Sequence, residues 1–186
     1  MNDEFFALHI TWTCYGTWLP GDPRGYTSNT LTNESAYLPK QNTPGSPHTA
    51  NDLRTFRMAQ FNQKGETVAL TQELAVVVCR SLVASAEQRG WRILRAAVMW
   101  NHVHVVVCDC PDDGPGVRRV LKGVSQSNLT KYTEQSRRWW TAGGSDRHKR
   151  TEEAALAAIQ YDADQRGILA EIIDMVVQPR NSRPPG

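Results

Sequence analysis

Trp91-Arg92-Ile93-Leu94-Arg95-Ala96-Ala97-Val98-Met99-Trp100-Asn101-His102-Val103-His104-Val105-Val106-Val107-Cys108-Asp109 is the stretch on which the fold turns. Two apolar, β-branched runs, 91–99 and 102–109, are separated by Trp100-Asn101 alone. A connection that short predicts an antiparallel hairpin. Side chains alternate along a strand, so His102 and His104 point to the same face. Burying two imidazoles in an apolar run is costly unless their ring nitrogens are satisfied. A divalent metal satisfies them; water or carbonyl partners are the plainer alternative.

Working outward, Phe5 to Tyr15 is aromatic and β-branched and reads as a first strand, ending in the turn-dense Gly16 to Gly25. Tyr26 to Gly65, rich in Asn, Thr, Ser and Pro, reads as a long irregular insertion. A helix follows with Leu74, Val77, Val78 and Leu82 on one face and Gly90 placed to end it. After the hairpin, Pro111 to Gly116 breaks the chain. A second helix then buries Val117, Leu121 and Val124, with Arg118 and Lys122 on another side. Arg137 to Thr141 reads as a short fourth strand and Gly143 to Arg150 as a basic loop. Thr151-Glu152-Glu153 opens a last helix, acidic residues at the positive end of its dipole. Residues 179–186 read as a disordered tail. The order β-α-β-β-α-β plus a terminal helix predicts an α+β, ferredoxin-like split βαβ sandwich. It forms one domain over residues 1–178, with the hairpin's second strand central to an antiparallel sheet.

The chain has 186 residues, 40% hydrophobic and 22% charged, which describes a globular protein able to bury a core. The net charge of +2 permits nucleic acid as a partner without requiring it. The basic residues cluster: Arg118, Arg119, Lys122, Lys131, Arg137, Arg138, Arg147, Lys149 and Arg150 are opposed within that span by Glu134 and Asp146 alone. With Trp139 and Trp140 inside it, the block fits a phosphate-gripping, base-stacking surface. A solvated basic helix face, with the tryptophans in the core, fits equally well. Four cysteines without paired spacing and no secretory signal predict a reducing, cytoplasmic setting. No apolar stretch approaches the ~20 residues needed to cross a bilayer, so no membrane role is expected.

On the last helix Leu156 and Ile159 define the expected apolar side, and Tyr161 falls away from both, with Gln165 one turn on. A tyrosine off the buried stripe is a candidate nucleophile; an exposed surface tyrosine is the alternative. A phenolate attacking a phosphodiester yields a phosphotyrosine that conserves the diester bond for resealing. A metal on His102 and His104 would polarise a non-bridging oxygen, and Gln165 would add an oxygen ligand. That donor set suits Mg²⁺ or Mn²⁺, imidazole favouring Mn²⁺. Cys108 and Cys110 share parity with the histidines and suggest zinc. However, His102 to Cys110 spans roughly 26 Å at about 3.3 Å per residue, too far for one tetrahedral ion. A histidine-triad hydrolase would want a third histidine where Val106 stands.

Thr11-Trp12-Thr13-Cys14-Tyr15-Gly16-Thr17-Trp18-Leu19-Pro20-Gly21-Asp22, Met99-Trp100-Asn101-His102-Val103-His104 and Tyr161-Asp162-Ala163-Asp164-Gln165 together resemble three successive blocks of the HUH single-strand tyrosine transposases. The nearest branch is the transposases associated with repetitive extragenic palindromes. The resemblance implies a metal-dependent endonuclease and strand transferase that cuts single-stranded DNA near a hairpin. By position it makes Tyr161 the nucleophile joined to the 5′ phosphate, and His102, His104 and Gln165 the metal ligands. Such proteins act as monomers or homodimers. Arg118, Arg119, Lys122, Arg137 and Arg138 are the candidate phosphate contacts. The chain departs from the pattern in Trp100, where a proline is usual, and in Asp162 and Asp164 beside the tyrosine. Those carboxylates either assist metal binding or weaken activity. In the second case the chain is a domesticated hairpin-binding protein that does not cut.

Overall fold

The computed structural model describes residues 6–19 and 53–180. In chain order the elements are β1 (Ala7–Thr13), α1 (Leu53–Phe61), α2 (Gln72–Glu87), β2 (Arg92–Met99), β3 (His102–Cys108), α3 (Gly114–Thr133), β4 (Ser145–Lys149), α4 (Glu152–Ala163), β5 (Ile168–Ile173) and β6 (Val176–Pro179). By proximity the chain divides into two units, Gly16–Thr67 and the remainder, Met1–Tyr15 with Val68–Gly186. The smaller unit contributes α1, which closes the stretch expected to be irregular. Residues 53–61 hold no Gly or Pro to stop a helix. Residues 26–52 of that stretch, and residues 181–186 of the expected tail, lie outside the described residues.

The larger unit is an α+β fold around a six-stranded sheet, order β4-β1-β3-β2-β5-β6, every neighbouring pair antiparallel. Its first four strands have the split βαβ order, with β3 inside the sheet as the hairpin pattern predicts. One face carries Leu8, Ile10 and Trp12 of β1, Val103, Val105 and Val107 of β3, and Ala170 and Ile172 of β5. These pack with Val78 and Leu82 of α2 and Leu121 and Leu129 of α3. A bulge between Ile93 and Arg95 shifts parity along β2, so Ile93, Ala96 and Val98 all join this core. The helix ends follow their sequence signals: Thr71, Asp113 and Thr151 cap α2, α3 and α4 with their side-chain oxygens. Gly90, at φ +68°, follows α2.

Three expectations are corrected. Arg137 to Thr141 is not a strand, because Trp140 makes only an isolated bridge to Cys14. The fourth strand is Ser145–Lys149, inside the segment read as a loop. Its polar sequence suits an edge strand, held by its ladder to β1 and by the Arg118–Asp146 ion pair. Secondly, the β5–β6 hairpin extends the sheet beyond β2, turning through Asp174 and Met175 at positive φ. Pro179 therefore ends a strand, and Arg180 bonds Glu171. Thirdly, α4 buries Ala155, Ala158 and Asp162, while Leu156 of the expected apolar side is exposed.

Candidate active site

The register of β1 on β3 sets Thr11 opposite His104, Thr13 opposite His102, and His9 opposite Val106. Alternation then puts His9, Thr11, His102 and His104 on the sheet face away from α2 and α3. This face is covered by α4. The small Ala155 and Ala158 lie against Ala7, Val106 and Cys108, and Asp162, one turn beyond Ala158, reaches the histidines.

Asp162 is fully buried. Its Oδ1 is 2.9 Å from His9 Nε2 and 3.5 Å from His104 Nδ1. His104 Nδ1 is also 3.1 Å from Thr11 Oγ1 and 3.4 Å from His9 Nε2. Asp162 Oδ2 is buried with no partner. A ligand nitrogen from each of His9 and His104 and a carboxylate oxygen of Asp162 lie within 4.8 Å of one another, close enough to share one ion. No cysteine joins this group, and Cys108 packs instead beneath α4.

On the outer side, the His102 and His104 rings are 4.9 Å apart. The His102 Nδ1–H donates to Asn101 Oδ1 at 2.6 Å, leaving the Nε2 lone pair. Burial pushes both imidazoles down from 6.5, to about 4 for His102 and about 3 for His104, where His102 and His9 add repulsion. Both are therefore neutral near pH 7, the form that binds metal. Burial pushes the Asp162 carboxyl up, opposed by its hydrogen bond from His9.

Tyr161 stands at the rim of this cluster. Its ring lies 5.6 Å from that of His104 and 6.0 Å from that of His9, edge-on to both. At 55% exposure it is open to solvent. Gln165 follows the α4 cap; its Nε2 donates to the Tyr161 carbonyl at 3.1 Å, which leaves Oε1 as its acceptor atom. Asp164 does not face the histidines and bonds Gln160. His9 was not singled out in the sequence. Its signal was parity: His9, set between the oppositely facing Leu8 and Ile10, shares a face with Thr11 once the first strand is laid beside the hairpin.

The basic candidates divide. Arg118 pairs with Asp146 and donates to the Gly144 carbonyl at 3.1 Å. Lys122 Nζ donates to the carbonyls of Thr141 at 2.6 Å and Gly143 at 2.5 Å. Burial, then Arg118, pushes Lys122 down to about 8. Arg119 is exposed, and with Pro115, Arg118, Lys122 and Gly143 it lines a hollow of ≈ 220 Å³. Arg137 lies over Trp139 at 5.2 Å and Arg138 over Tyr15 at 5.4 Å. Trp139 and Trp140 are buried in the core, so neither offers a face to a base.

No helix among the described residues is long and apolar enough to cross a membrane. No protein-family model matches the chain, and no curated protein matches it. Among solved structures, a REP-associated tyrosine transposase bound to a REP hairpin is similar, at 12% identity and TM-score 0.42. The alignment covers 86% of this chain and 65% of that one. So distant a likeness assigns no chemistry, which has to come from the site's own geometry.

Proposed function

We propose that this chain is a metal-dependent single-strand DNA endonuclease and strand transferase acting at hairpin DNA, with Tyr161 as nucleophile. The observation that carries this reading is the placement of one exposed phenol on a helix, within 6.0 Å of the rings of two histidines it has no packing reason to meet. The motif resemblance points the same way.

The ligands assigned to the ion in this reading are the Nε2 atoms of His102 and His104 and the amide oxygen of Gln165, donors whose chemistry suits a divalent ion. When bound there, Mg²⁺ or Mn²⁺ would supply charge neutralisation at the phosphate and a lowered cost for phenolate formation. The chain's own residues do the rest. The Tyr161 oxygen, having lost its proton, attacks phosphorus. The P–O3′ bond breaks, the electron pair leaves with the 3′ oxygen, and that oxygen takes up a proton. The 5′ phosphate remains esterified to Tyr161, and attack by another 3′ hydroxyl reverses the step. Arg119, Arg137 and Arg138 are the cations proposed to hold the flanking strand, with Arg118 and Lys122 shaping the hollow beside Arg119. Asp162 faces inward, so its charge does not lie where a phosphate would sit. Asp164 stays exposed on the same helix end and bonds Gln160, so the binder that does not cut is kept as the alternative that a cleavage assay decides.

Incubation with hairpin-bearing single-stranded DNA and Mn²⁺ should give a denaturant-resistant protein–DNA adduct and a free 3′ hydroxyl. Tyr161→Phe should give none while remaining as stable as the parent, since the hydroxyl belongs to an exposed side chain. An adduct formed equally by the Phe variant would refute the assignment of the nucleophile. Salt-sensitive hairpin binding by the parent with no cleavage under either metal would refute the endonuclease.

A further inference from the structure

We infer that Asp162 and His9 form an orienting layer behind His104, in which the carboxylate fixes the His104 proton on Nδ1 and reserves Nε2 as the metal-facing atom. This rests on the function proposed above and assigns roles to two residues that it leaves unused.

An ionised carboxylate has lone pairs and no proton, so a ring nitrogen that bonds to it must carry the hydrogen. Asp162 Oδ1 faces His9 Nε2 at 2.9 Å and His104 Nδ1 at 3.5 Å. His104 Nδ1 lies 3.4 Å from His9 Nε2, much the same distance as from Asp162, but a lone pair on Nδ1 would face the carboxylate's negative charge, whereas an N–H there is drawn to it. The Thr11 hydroxyl, 3.1 Å from His104 Nδ1, can accept from a proton there or donate to a lone pair, so it suits either tautomer and leaves the choice to the carboxylate. In the neutral ring, a proton on Nδ1 leaves the lone pair on Nε2, at the ring edge away from Asp162. Carboxylate–imidazole–metal arrangements of this kind fix tautomer and ring orientation together. Burial favours this role over direct ligation, because Asp162 is fully buried and His104 nearly so. An ion held among His9, His104 Nδ1 and Asp162 would lie behind the imidazole, away from an arriving phosphate. Asp162 and His9 are therefore positioning residues.

The tautomer decides the matter without any assay of activity. In the ¹⁵N-labelled, EDTA-treated full chain near neutral pH, long-range ¹H–¹⁵N spectra should show His104 protonated on Nδ1, its signals assigned by their loss in His104→Gln. Asp162→Asn can present an amide N–H to the ring. It should shift the proton toward Nε2 and weaken Mn²⁺ binding, followed by EPR, about tenfold to a hundredfold, with circular dichroism unchanged. His9→Gln still donates to Asp162 and should keep the parental tautomer, which covers the case in which Asp162→Asn does not fold. A parental proton on Nε2 would overturn the inference and make Nδ1 the ligating atom of an inner site. So would an Asp162→Asn protein with unchanged tautomer and Mn²⁺ affinity. If the parent binds no Mn²⁺, the metal-dependent function fails, while the spectrum still decides the orientation of His104.

Discussion

Acidification from about pH 7 to about pH 4.5 should destabilise the metal-free chain through His102 and His104. Their pKa values fall from 6.5 to about 4 and about 3 on folding, burial being the largest cause in each. Below 6.5 the unfolded chain binds protons that the folded chain refuses. Stability is therefore complete above that pH and is lost progressively until the folded values are reached. At about 1.4 kcal/mol per pKa unit, the two units down to pH 4.5 remove at most about 3 kcal/mol per histidine. Asp162 works in the opposite sense, because its raised pKa lets the folded state take up a proton first. The two histidines together bound the loss at about 6 kcal/mol, which Asp162 reduces, and this is a large share of the roughly 5–15 kcal/mol typical of a domain. Urea unfolding followed by tryptophan fluorescence, with EDTA present, measures it at both pH values. In a His102→Gln/His104→Gln double variant most of the loss should vanish. Equal stability of the parent at the two pH values, or a double variant that falls as steeply, would refute the account. In that case the imidazoles are as easily protonated folded as unfolded.

The remaining predictions concern what holds the site in place. Arg95 is buried and paired with Glu171, which also accepts from Arg180. Arg95→Met should cost about 3 kcal/mol in urea unfolding, because it leaves a buried carboxylate short of charge. A change under 1 kcal/mol would mean, on the same scale, that Arg180 alone suffices. Lys122→Met removes the donor to the Thr141 and Gly143 carbonyls. It should cost about 1–3 kcal/mol and speed amide exchange in β4; unchanged exchange would show that β4 is held by its ladder alone. Ala158→Leu adds bulk beneath α4 and should cost about 1–3 kcal/mol. It should also lift Asp162 and Tyr161 off the sheet and abolish adduct formation, whereas a fully active variant would contradict the close seating of this helix.

The hairpin was legible because two apolar runs and a two-residue connection admit one arrangement, and its inner strand fixed the place of both histidines. The fourth strand was not. Ser145-Asp146-Arg147-His148-Lys149 has no hydrophobic alternation, and it is a strand only because the β1 edge and Asp146 hold it there. The face of α4 was misread for a related reason. Leu156 and Ile159 outweigh alanine on any hydrophobicity count, yet the sheet face buries Ala155 and Ala158 with Ile159 packed at their edge, and Leu156 is left exposed. Tyr161 could be singled out as off the buried stripe even so, because it is off the true stripe as well. His9 and Asp162 lie 153 residues apart, and nothing local joins them. Their meeting follows from strand pairing and helix docking, which a linear pattern does not encode.

The basic block shows how composition overstates an interface. Arg118 and Lys122 were candidates for gripping phosphate, and both instead bond carbonyls of the 141–144 segment that leads into β4. Burial lowers the Lys122 pKa to about 8, and its ammonium is engaged by those carbonyls, which leaves it fewer donors for a phosphate. Trp139 and Trp140 belong to the core and hold the same segment: Trp139 Nε1 donates to Thr130 Oγ1, Trp140 Nε1 to Ser125 Oγ. What remains for a nucleic acid is sparser: exposed Arg119 above its hollow, Arg137 over Trp139 and Arg138 beside Tyr15. Few phosphate contacts imply a shallow dependence of affinity on salt. If hairpin DNA is held tightly by this chain, much of the grip must then come from contacts other than these cations, the proposed metal site and Tyr161 among them.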